Sequence, residues 1–351
     1  MNSHLDFYIY PQFDNAGDFW KGLAKIKIDK KWGFIDSFGE WIVKPQFDKA
    51  NEFCEGKALV LVNGKYGFID TYGQFIVQPQ FDKAKDFSEK RGLVCINGKF
   101  GFIDKCGEWV VKPRFDDARS FREGTAWVTL NGKCGYIDNQ GDLIIEPMFD
   151  KTFSFYEGIA LVCIDGKYGF IDRYGNWIVK PHYEDALDFR EGAVAVKFNG
   201  KWGYIDIQGK LIVEPQFDDA NLFSEGAALV KVNRKWGFIN KQGEWIIEPE
   251  LDMAVCFSEG FAAVCVRNTW GFINTQGEWI IKPQYDYVGS FKEGLAIARV
   301  KDKWGMINRN GEWIIEPNFD AIRNFSEGLA VVKCNDKWGY IKNLTRANKG
   351  I

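Results

Sequence analysis

The chain has 351 residues, of which 46% are hydrophobic and 16% aromatic, so it is long enough to bury a large core. Its 45 basic and 48 acidic residues give a net charge of −3. This balance argues against a nucleic-acid binder, because such proteins usually carry a basic excess. No run of 18 apolar residues and no basic-then-apolar start occurs, so neither a membrane helix nor a signal peptide is predicted.

A 34-residue repeat runs through the chain. All ten prolines share one position of it, from Pro11 to Pro317, ten glycines share a second, from Gly33 to Gly339, and ten phenylalanines share a third, from Phe19 to Phe325. Self-similarity at this period predicts a stacked repeat architecture. We therefore expect residues 1–351 to form a single repeat domain, with repeats over about 5–342 and a polar C-terminal tail at 343–351.

The elements of one repeat can be predicted from its turn signals. In the second repeat an alternating strand, 58–62, leads to Asn63-Gly64, which is the strongest short hairpin signal. A strand over 65–69 follows, then a turn at 70–73, then a strand over 75–77 that Pro79 ends. In the segment that crosses to the next repeat, we expect Asp82 to cap a single helical turn. Each repeat is thus predicted to be a three-stranded antiparallel meander.

The two ends of the chain leave the assembly open to two interpretations. The last repeat stops after two strands, at 333–342, and the sequence pattern of a third strand appears instead at 6–11. We predict an all-β fold of ten three-stranded meanders stacked in an open, curved or superhelical array. The alternative is a closed, propeller-like ring in which the N-terminal strand completes the last blade.

We assign the recurring polar positions to structural hydrogen bonds rather than to catalysis or metal binding. One turn acid runs from Asp36 to Asp206 and becomes Asn in the next three repeats, which favours Asx turns over calcium ligands. Two further series, from Asp14 to Asp320 and from Glu55 to Glu327, are expected to form capping or turn hydrogen bonds. Lys21 replaces the acid of the second series in the first repeat.

The sequence contains few residues of the types that catalytic and metal-binding sites require. Only His4 and His182 occur, and the eight cysteines form no CxxC pair, so we predict no enzyme activity, no cofactor and no metal site. Cys95, Cys163 and Cys265 share one apolar strand position, which is typical of core filling in a reducing compartment. We expect a cytoplasmic protein.

Function is expected where the repeat varies, because the invariant positions are assigned to turns and core. The residue after each repeated phenylalanine is variable, and stacking should align these residues in one stripe. We predict that Arg122, Tyr156 and Arg190 of this stripe bind a partner, since Arg and Tyr are favoured at interface hot spots. Trp127, which replaces Leu, Ala or Val of other repeats, is added to this site. The stripe consists of Trp20, Cys54, Ser88, Arg122, Tyr156, Arg190, Ser224, Ser258, Lys292 and Ser326.

The repeat resembles the WG (KWG) repeat family of bacterial proteins. The resemblance is clearest at the sequence KWGFI over 235–239 with GEWII over 243–247 and Pro249, and it covers residues 5–342. It implies a non-enzymatic scaffold for protein–protein interaction, in a bacterial stress or defence response. We therefore expect a protein partner, and from charge and hydropathy neither nucleic acid nor membrane. The alternative function is a carbohydrate or cell-envelope binding module, suggested by the aromatic-rich β-repeats.

Overall fold

A computed structural model describes residues 7–343, so His4 and most of the predicted polar tail, 344–351, lie outside the described residues. Within 7–343 the chain forms forty β-strands and no helix, arranged as ten four-stranded antiparallel sheets. The predicted all-β fold of ten repeats is therefore confirmed. We number the sheets 1 to 10 in chain order; each takes one copy of the repeat.

The strands follow one another sheet by sheet along the chain, except that β1, Phe7–Phe13, belongs to sheet 10. Sheet 1 comprises β2 Asn15–Ala16, β3 Leu23–Ile28, β4 Lys31–Asp36 and β5 Trp41–Phe47; sheet 2 comprises β6 Lys49–Ala50, β7 Lys57–Val62, β8 Lys65–Asp70 and β9 Phe75–Phe81; and sheet 3 comprises β10 Lys83–Ala84, β11 Gly92–Ile96, β12 Lys99–Ile103 and β13 Trp109–Phe115. Sheet 4 comprises β14 Asp117–Ala118, β15 Thr125–Leu130, β16 Lys133–Asp138 and β17 Leu143–Phe149; sheet 5 comprises β18 Lys151–Thr152, β19 Ile159–Ile164, β20 Lys167–Asp172 and β21 Trp177–Tyr183; and sheet 6 comprises β22 Asp185–Ala186, β23 Ala193–Phe198, β24 Lys201–Asp206 and β25 Leu211–Phe217. Sheet 7 comprises β26 Asp219–Ser224, β27 Ala227–Val232, β28 Lys235–Asn240 and β29 Trp245–Leu251; sheet 8 comprises β30 Met253–Ala254, β31 Phe261–Val266, β32 Thr269–Asn274 and β33 Trp279–Tyr285; and sheet 9 comprises β34 Tyr287–Val288, β35 Leu295–Val300, β36 Lys303–Asn308 and β37 Trp313–Phe319. Sheet 10 adds β38 Ala321–Ile322, β39 Leu329–Cys334 and β40 Lys337–Lys342 to β1.

Each sheet has one strand more than the three-stranded meander predicted from the sequence. The additional strand comes from the crossing segment: Lys83 pairs with Cys95, and Ala84 with Val94. The helical turn expected at Asp82 is also wrong, because Asp82 instead accepts hydrogen bonds from the Lys65 ammonium at 2.5 Å and from the Asn97 N–H at 2.8 Å. These bonds join the crossing segment to both neighbouring hairpins and leave the backbone extended.

The third long strand of each repeat runs through its proline rather than ending before it. β9 continues past Pro79 to Phe81, and its pairing with β8 is irregular between Tyr66 and Phe68. Because β9 is an edge strand with a bulge here, the missing proline N–H costs no regular ladder bond. The repeated glycine faces this bulge: a Cβ on Gly67 would lie 2.6 Å from the Val77 carbonyl oxygen. The bulge and the close backbone approach together explain why glycine recurs at this position.

The recurring turn acid makes the Asx turn predicted for it. Asp36 accepts hydrogen bonds at 2.9 Å from the N–H groups of Phe38 and Glu40 through one carboxylate oxygen. Asn240 accepts the equivalent bonds, from Gln242 at 3.0 Å and Glu244 at 2.9 Å, through its amide oxygen. A single acceptor atom is sufficient, which explains why Asp and Asn exchange freely at this position.

The open array predicted from the sequence is wrong: the N-terminal strand completes the last sheet, as the propeller-like alternative predicted. β1 pairs with β40, matching Phe7 with Ile341 and Phe13 with Trp338, so the N-terminal strand is the fourth strand of sheet 10. Sheet 10 also packs on sheet 1, since Phe19 of sheet 1 and Tyr340 of sheet 10 share one buried core with ring centroids 4.8 Å apart. Pairing covers an edge that an open array would leave bare, as in β-propellers closed by an N-terminal strand.

The chain divides into two compact units. The first comprises residues 7–114, 295–308 and 313–343 of the described chain and contains sheets 1, 2 and 10 complete. Its cores lie between successive sheets: Phe34 of sheet 1 packs against Phe53 of sheet 2, for example, with ring centroids 4.8 Å apart. The second unit comprises 115–294 and 309–312 and contains sheets 4 to 8 complete. Its cores follow the same plan, with Phe238 of sheet 7 against Phe257 of sheet 8.

Candidate binding stripe

The stripe lies at the tight turn that joins the first and second strands of each sheet. Arg122, Tyr156 and Arg190 each form an isolated antiparallel bridge with the residue three positions further on. The two residues between are a Glu and a Gly in the left-handed conformation, as at Glu123 with φ 51° and Gly124 with φ 78°. This hairpin fixes every stripe residue at the same end of its sheet.

Several small members of the stripe link one sheet to the next. Ser224 donates a hydrogen bond of 2.9 Å to the carbonyl oxygen of Phe257 in the following sheet, and Ser258 donates one of 3.1 Å to Phe291. Ser326 makes the same link to Phe19 at 2.6 Å, between sheets 10 and 1. At these positions the stripe residue has a structural role.

Sheets 4 to 6 differ, because their stripe residues are large and are used in another way. The Arg122 guanidinium lies 3.3 Å from the centroid of the Tyr156 ring, a close stacked cation–π contact. Arg122 and Arg190 are exposed, whereas Tyr156 is half-buried. The structure therefore brings Arg122 and Tyr156 into direct contact and leaves Arg122 and Arg190 exposed.

Two partly buried groups lie within the electrostatic reach of these arginines. Burial raises the pKa of the Asp188 carboxyl, and the charge of Arg122 opposes this shift. Burial likewise raises the pKa of the Cys256 thiol, against the charge of Arg190. Asp188 comes two residues before Arg190, and Arg122 lies near enough to Asp188 to affect its pKa.

Trp127 occupies a different environment from the rest of the predicted site. It lies in β15, opposite Tyr136, and packs half-buried against the core that contains Cys134 and Phe155. The Arg119 guanidinium is 5.8 Å from its ring centroid. The structure thus places Trp127 in the packing between sheets 4 and 5, below the exposed stripe.

The glutamate that follows the stripe residue has a role that the sequence did not reveal. The carboxylate of Glu157 accepts hydrogen bonds from the N–H groups of Glu191 at 3.0 Å and Gly192 at 3.1 Å, both in the next sheet. The expected turn bonds are therefore links between sheets, and we call this series the glutamate ladder. Its carboxylates with such bonds include Glu55, Glu123, Glu157, Glu191, Glu225, Glu259 and Glu327.

Three exposed aromatic side chains were not predicted as functional from the sequence. Phe38, Tyr72 and Tyr174 occupy the same position of the Asx turn and are 77%, 80% and 86% exposed. Their only sequence signal is an aromatic residue at a position that is polar or small in other repeats.

Among residues 7–343, no group of three or more His, Cys, Asp or Glu side chains is arranged to hold a metal ion. The same residues contain no helix long and apolar enough to cross a membrane.

Comparison with known proteins identifies the repeat. The family model described as "WG containing repeat" matches ten consecutive segments: 6–32, 32–66, 66–100, 100–134, 135–168, 168–202, 202–236, 236–270, 270–304 and 304–338. A search of curated proteins found no match. Among solved structures, a eukaryotic initiation factor is similar with a TM-score of 0.53 at 9% identity, over 84% of this chain and 96% of that one.

Two further solved structures have lower similarity. Hsv2p of Kluyveromyces lactis has a TM-score of 0.38 at 11% identity, over 66% of this chain and 95% of that one. PorZ of Porphyromonas gingivalis, a surface component of the type-IX secretion system, has a TM-score of 0.30 at 10% identity, over 85% of this chain and 52% of that one. At these identities the similarity of the initiation factor concerns the fold alone.

Proposed function

The chain belongs to the WG-containing repeat family, and we propose that it is a non-enzymatic scaffold that binds a protein partner along the stripe of sheets 4 to 6. The observation that carries this proposal is the stack of Arg122 on Tyr156. At the same repeat position Ser224 and Ser258 join neighbouring sheets. Sheets 4 to 6 have replaced that link with planar, amphipathic side chains of the type enriched at interface hot spots.

The charges of the site indicate the chemistry of the partner. Arg122 and Arg190 are exposed guanidinium groups, whereas burial raises the pKa of Asp188 and so disfavours its charged form. An acidic segment of a protein would pair with both guanidinium groups and pack beside Tyr156. We place this interaction in the bacterial cytoplasm, in a stress or defence response. Buried free thiols such as Cys95 and Cys265 support the reducing compartment.

Site-specific photo-crosslinking in the native host tests the proposal. A photo-reactive phenylalanine analogue at Tyr156 should capture a protein, whereas the same analogue at Met148, an exposed position of β17, should not. Replacing Arg122 and Arg190 with Ser should remove the captured species. Capture of the same species from both positions, or capture that survives the arginine replacements, would contradict binding at the stripe.

The fold should survive these replacements, which keeps the test interpretable. A serine at position 122 occupies the same backbone site from which Ser224 donates to Phe257, and Phe155 presents the equivalent carbonyl. The double variant should therefore unfold at the same urea concentration as the parent protein. The double variant Glu146→Ser with Lys180→Ser provides the control, because it also replaces two exposed charged residues with Ser. Both residues lie on edge strands, in sheets 4 and 5.

A second candidate function, binding of cell-envelope carbohydrate, is supported by the exposed aromatic side chains. Tyr72 and Tyr174 are 80% and 86% exposed, and aromatic faces offer flat apolar area beside a polar hydroxyl. Co-sedimentation with purified peptidoglycan distinguishes the two functions. Sedimentation that Tyr72→Ser and Tyr174→Ser abolish, with no effect of the arginine replacements, would favour carbohydrate binding over the protein scaffold.

A further inference from the structure

A pair of backbone N–H groups acts as a carboxylate receptor at successive junctions between sheets. Glu225 accepts from the Glu259 N–H at 2.7 Å and from the Gly260 N–H at 2.8 Å, and Glu191 accepts in the same way from Glu225 and Gly226. Consecutive left-handed residues point their N–H groups to one side and so form a concave anion site. The chain itself thus shows what this turn binds: one carboxylate, held by two N–H groups.

The junction between sheets 1 and 2 has the receptor without its carboxylate. The turn of sheet 2 has the same geometry, with φ 50° at Glu55 and φ 80° at Gly56. The residue that should supply the acid is Lys21, whose side chain is a cation and accepts no hydrogen bond. Among the hydrogen bonds of residues 7–343, the N–H groups of Glu55 and Gly56 have no carboxylate acceptor.

Nearby carboxylates are already engaged and do not fill this receptor. The Glu327 carboxylate accepts from the N–H groups of Lys21 at 2.6 Å and Gly22 at 2.8 Å. The side chain of Glu55 turns to the following sheet, where it accepts from the Lys90 N–H at 3.0 Å. The backbone around the receptor is therefore fixed by the same links as at other junctions, and the receptor is preformed.

The surroundings of the receptor are open and suited to an anion. Lys21 is exposed, Trp20 beside it is 52% exposed, and a Cβ built on Gly56 meets no atom within 4 Å. In sheet 5 the turn residue Arg173 adds a bond of 2.7 Å to the Glu123 carboxylate held at that junction. Thr71 occupies the equivalent turn position in sheet 2 and offers a hydroxyl donor there.

We propose that the Glu55–Gly56 turn, with Lys21, Trp20 and Thr71, binds a carboxylate from outside the chain. This site belongs to the first compact unit and goes beyond the proposed function, which concerns the part of the stripe from Arg122 to Arg190 in the second unit. The ligand is the side chain of a Glu or Asp in a partner protein, or a small free carboxylate of the cell. Two N–H groups and an ammonium match the two oxygens and the charge of either ligand.

NMR spectroscopy of the full chain tests the site, with internal controls. The sequence contains eight Glu–Gly pairs, and labelling with carbonyl-13C glutamate and 15N glycine selects their glycine amides alone. Titration with acetate at constant ionic strength should move the Gly56 signal to saturation and leave unchanged the signals of the five glycines whose N–H groups hold carboxylates, Gly158, Gly192, Gly226, Gly260 and Gly294. The Gly56 signal is assigned by its loss in Gly56→Ala. A signal that does not move, or eight signals that move together, would overturn the proposal.

Lys21→Glu is the decisive variant, because it should complete the glutamate ladder at this junction. The Gly56 signal should then appear at its saturated position without acetate, the affinity for acetate should fall at least tenfold, and the melting temperature should rise. Unchanged acetate binding in this variant would also refute the site. Since the stripe residues are untouched, loss of this site would leave crosslinking at Tyr156 intact.

Two further ligands distinguish the source of the carboxylate. Tighter binding of N-acetyl-glutamate N-methylamide than of acetate would support a protein side chain as the natural ligand, and equal or weaker binding would support a small free carboxylate. Inorganic phosphate serves as the competing anion. Phosphate binding tenfold tighter than both carboxylates would overturn the assignment of the ligand class.

Discussion

Replacing the repeated glycine of sheet 7 measures how tightly the third and fourth strands of a sheet approach each other. A Cβ on Gly237 would lie 2.5 Å from the Ile247 carbonyl oxygen and 3.0 Å from the Pro249 nitrogen. Ordinary carbon–oxygen contacts are about 3.3 Å or longer, so β29 would have to move by about 0.8 Å. This glycine is needed for the close approach and not for a left-handed backbone.

The cost of Gly237→Ala follows from that movement. Overpacking of a tight contact costs about 1–3 kcal/mol, and weakening one or two ladder bonds between β28 and β29 adds about 1 kcal/mol for each. Alanine also lowers the conformational entropy of the unfolded chain, which offsets about 0.4–1 kcal/mol of this loss in stability. We expect a net loss of about 3 kcal/mol in the free energy of unfolding.

Equilibrium unfolding in urea, followed by tryptophan fluorescence, measures this loss. Gly226→Ala is the matched control in the same sheet: its backbone is left-handed, with φ 80°, but the new Cβ meets no atom within 4 Å. It should lose only the conformational cost of about 1–2 kcal/mol. The close approach would not explain the recurrence of glycine here under either of two results. One is a free energy of unfolding for Gly237→Ala within about 0.5 kcal/mol of the parent protein; the other is a urea midpoint no lower than that of Gly226→Ala.

Three other variants test hydrogen bonds described above. Asp206→Asn should leave the urea midpoint unchanged, because one acceptor atom makes both Asx-turn bonds, whereas Asp206→Ala should lose about 1–2 kcal/mol in the same assay. Tyr204→Phe should lose about 1 kcal/mol, measured by thermal unfolding, because its hydroxyl donates to the Asn221 carbonyl at 2.8 Å; an unchanged midpoint would show that the bond contributes nothing. The Lys235 ammonium, and then a backbone N–H, hold the pKa of Asp252 below its usual 3.8, so its contribution is present above that pH and is lost as the pH falls through the folded-state pKa. Urea midpoints should therefore fall as the pH is lowered below the usual carboxyl pKa of 3.8, and less steeply in Lys235→Met, while equal slopes would contradict the pairing.

Local signals in the sequence predicted most of one repeat. Asn63-Gly64 and the Asx turn at Asp36 are set by residues adjacent in the chain, and both occur where expected. The fourth strand was missed because Lys83 and Ala84 are only two residues and show no alternation. β9 was predicted too short, because a proline disrupts a central strand but is tolerated at an edge.

Interactions between repeats were harder to predict. Glu157 resembles an ordinary surface acid in the sequence, and its role depends on the position of a turn 34 residues away. The pairing of β1 with β40 joins segments more than 300 residues apart, which no single turn signal specifies. The stack of Arg122 on Tyr156 could be anticipated, because alignment of equivalent positions follows from the period alone.

The sharing of sheet 10 between the two ends of the chain has a consequence for biosynthesis. β1 is made before its partner β40, which begins 324 residues after β1 ends, at Lys337. At about 5–20 residues per second, the ribosome would need roughly 16–65 s to supply that partner. Throughout this interval the segment FYIYPQF, which is rich in aromatic side chains, lacks its partner strand, and Pro11 disfavours its pairing with another nascent copy. Yield in the cell should therefore depend on how β1 is shielded during translation as much as on the stability of the finished molecule.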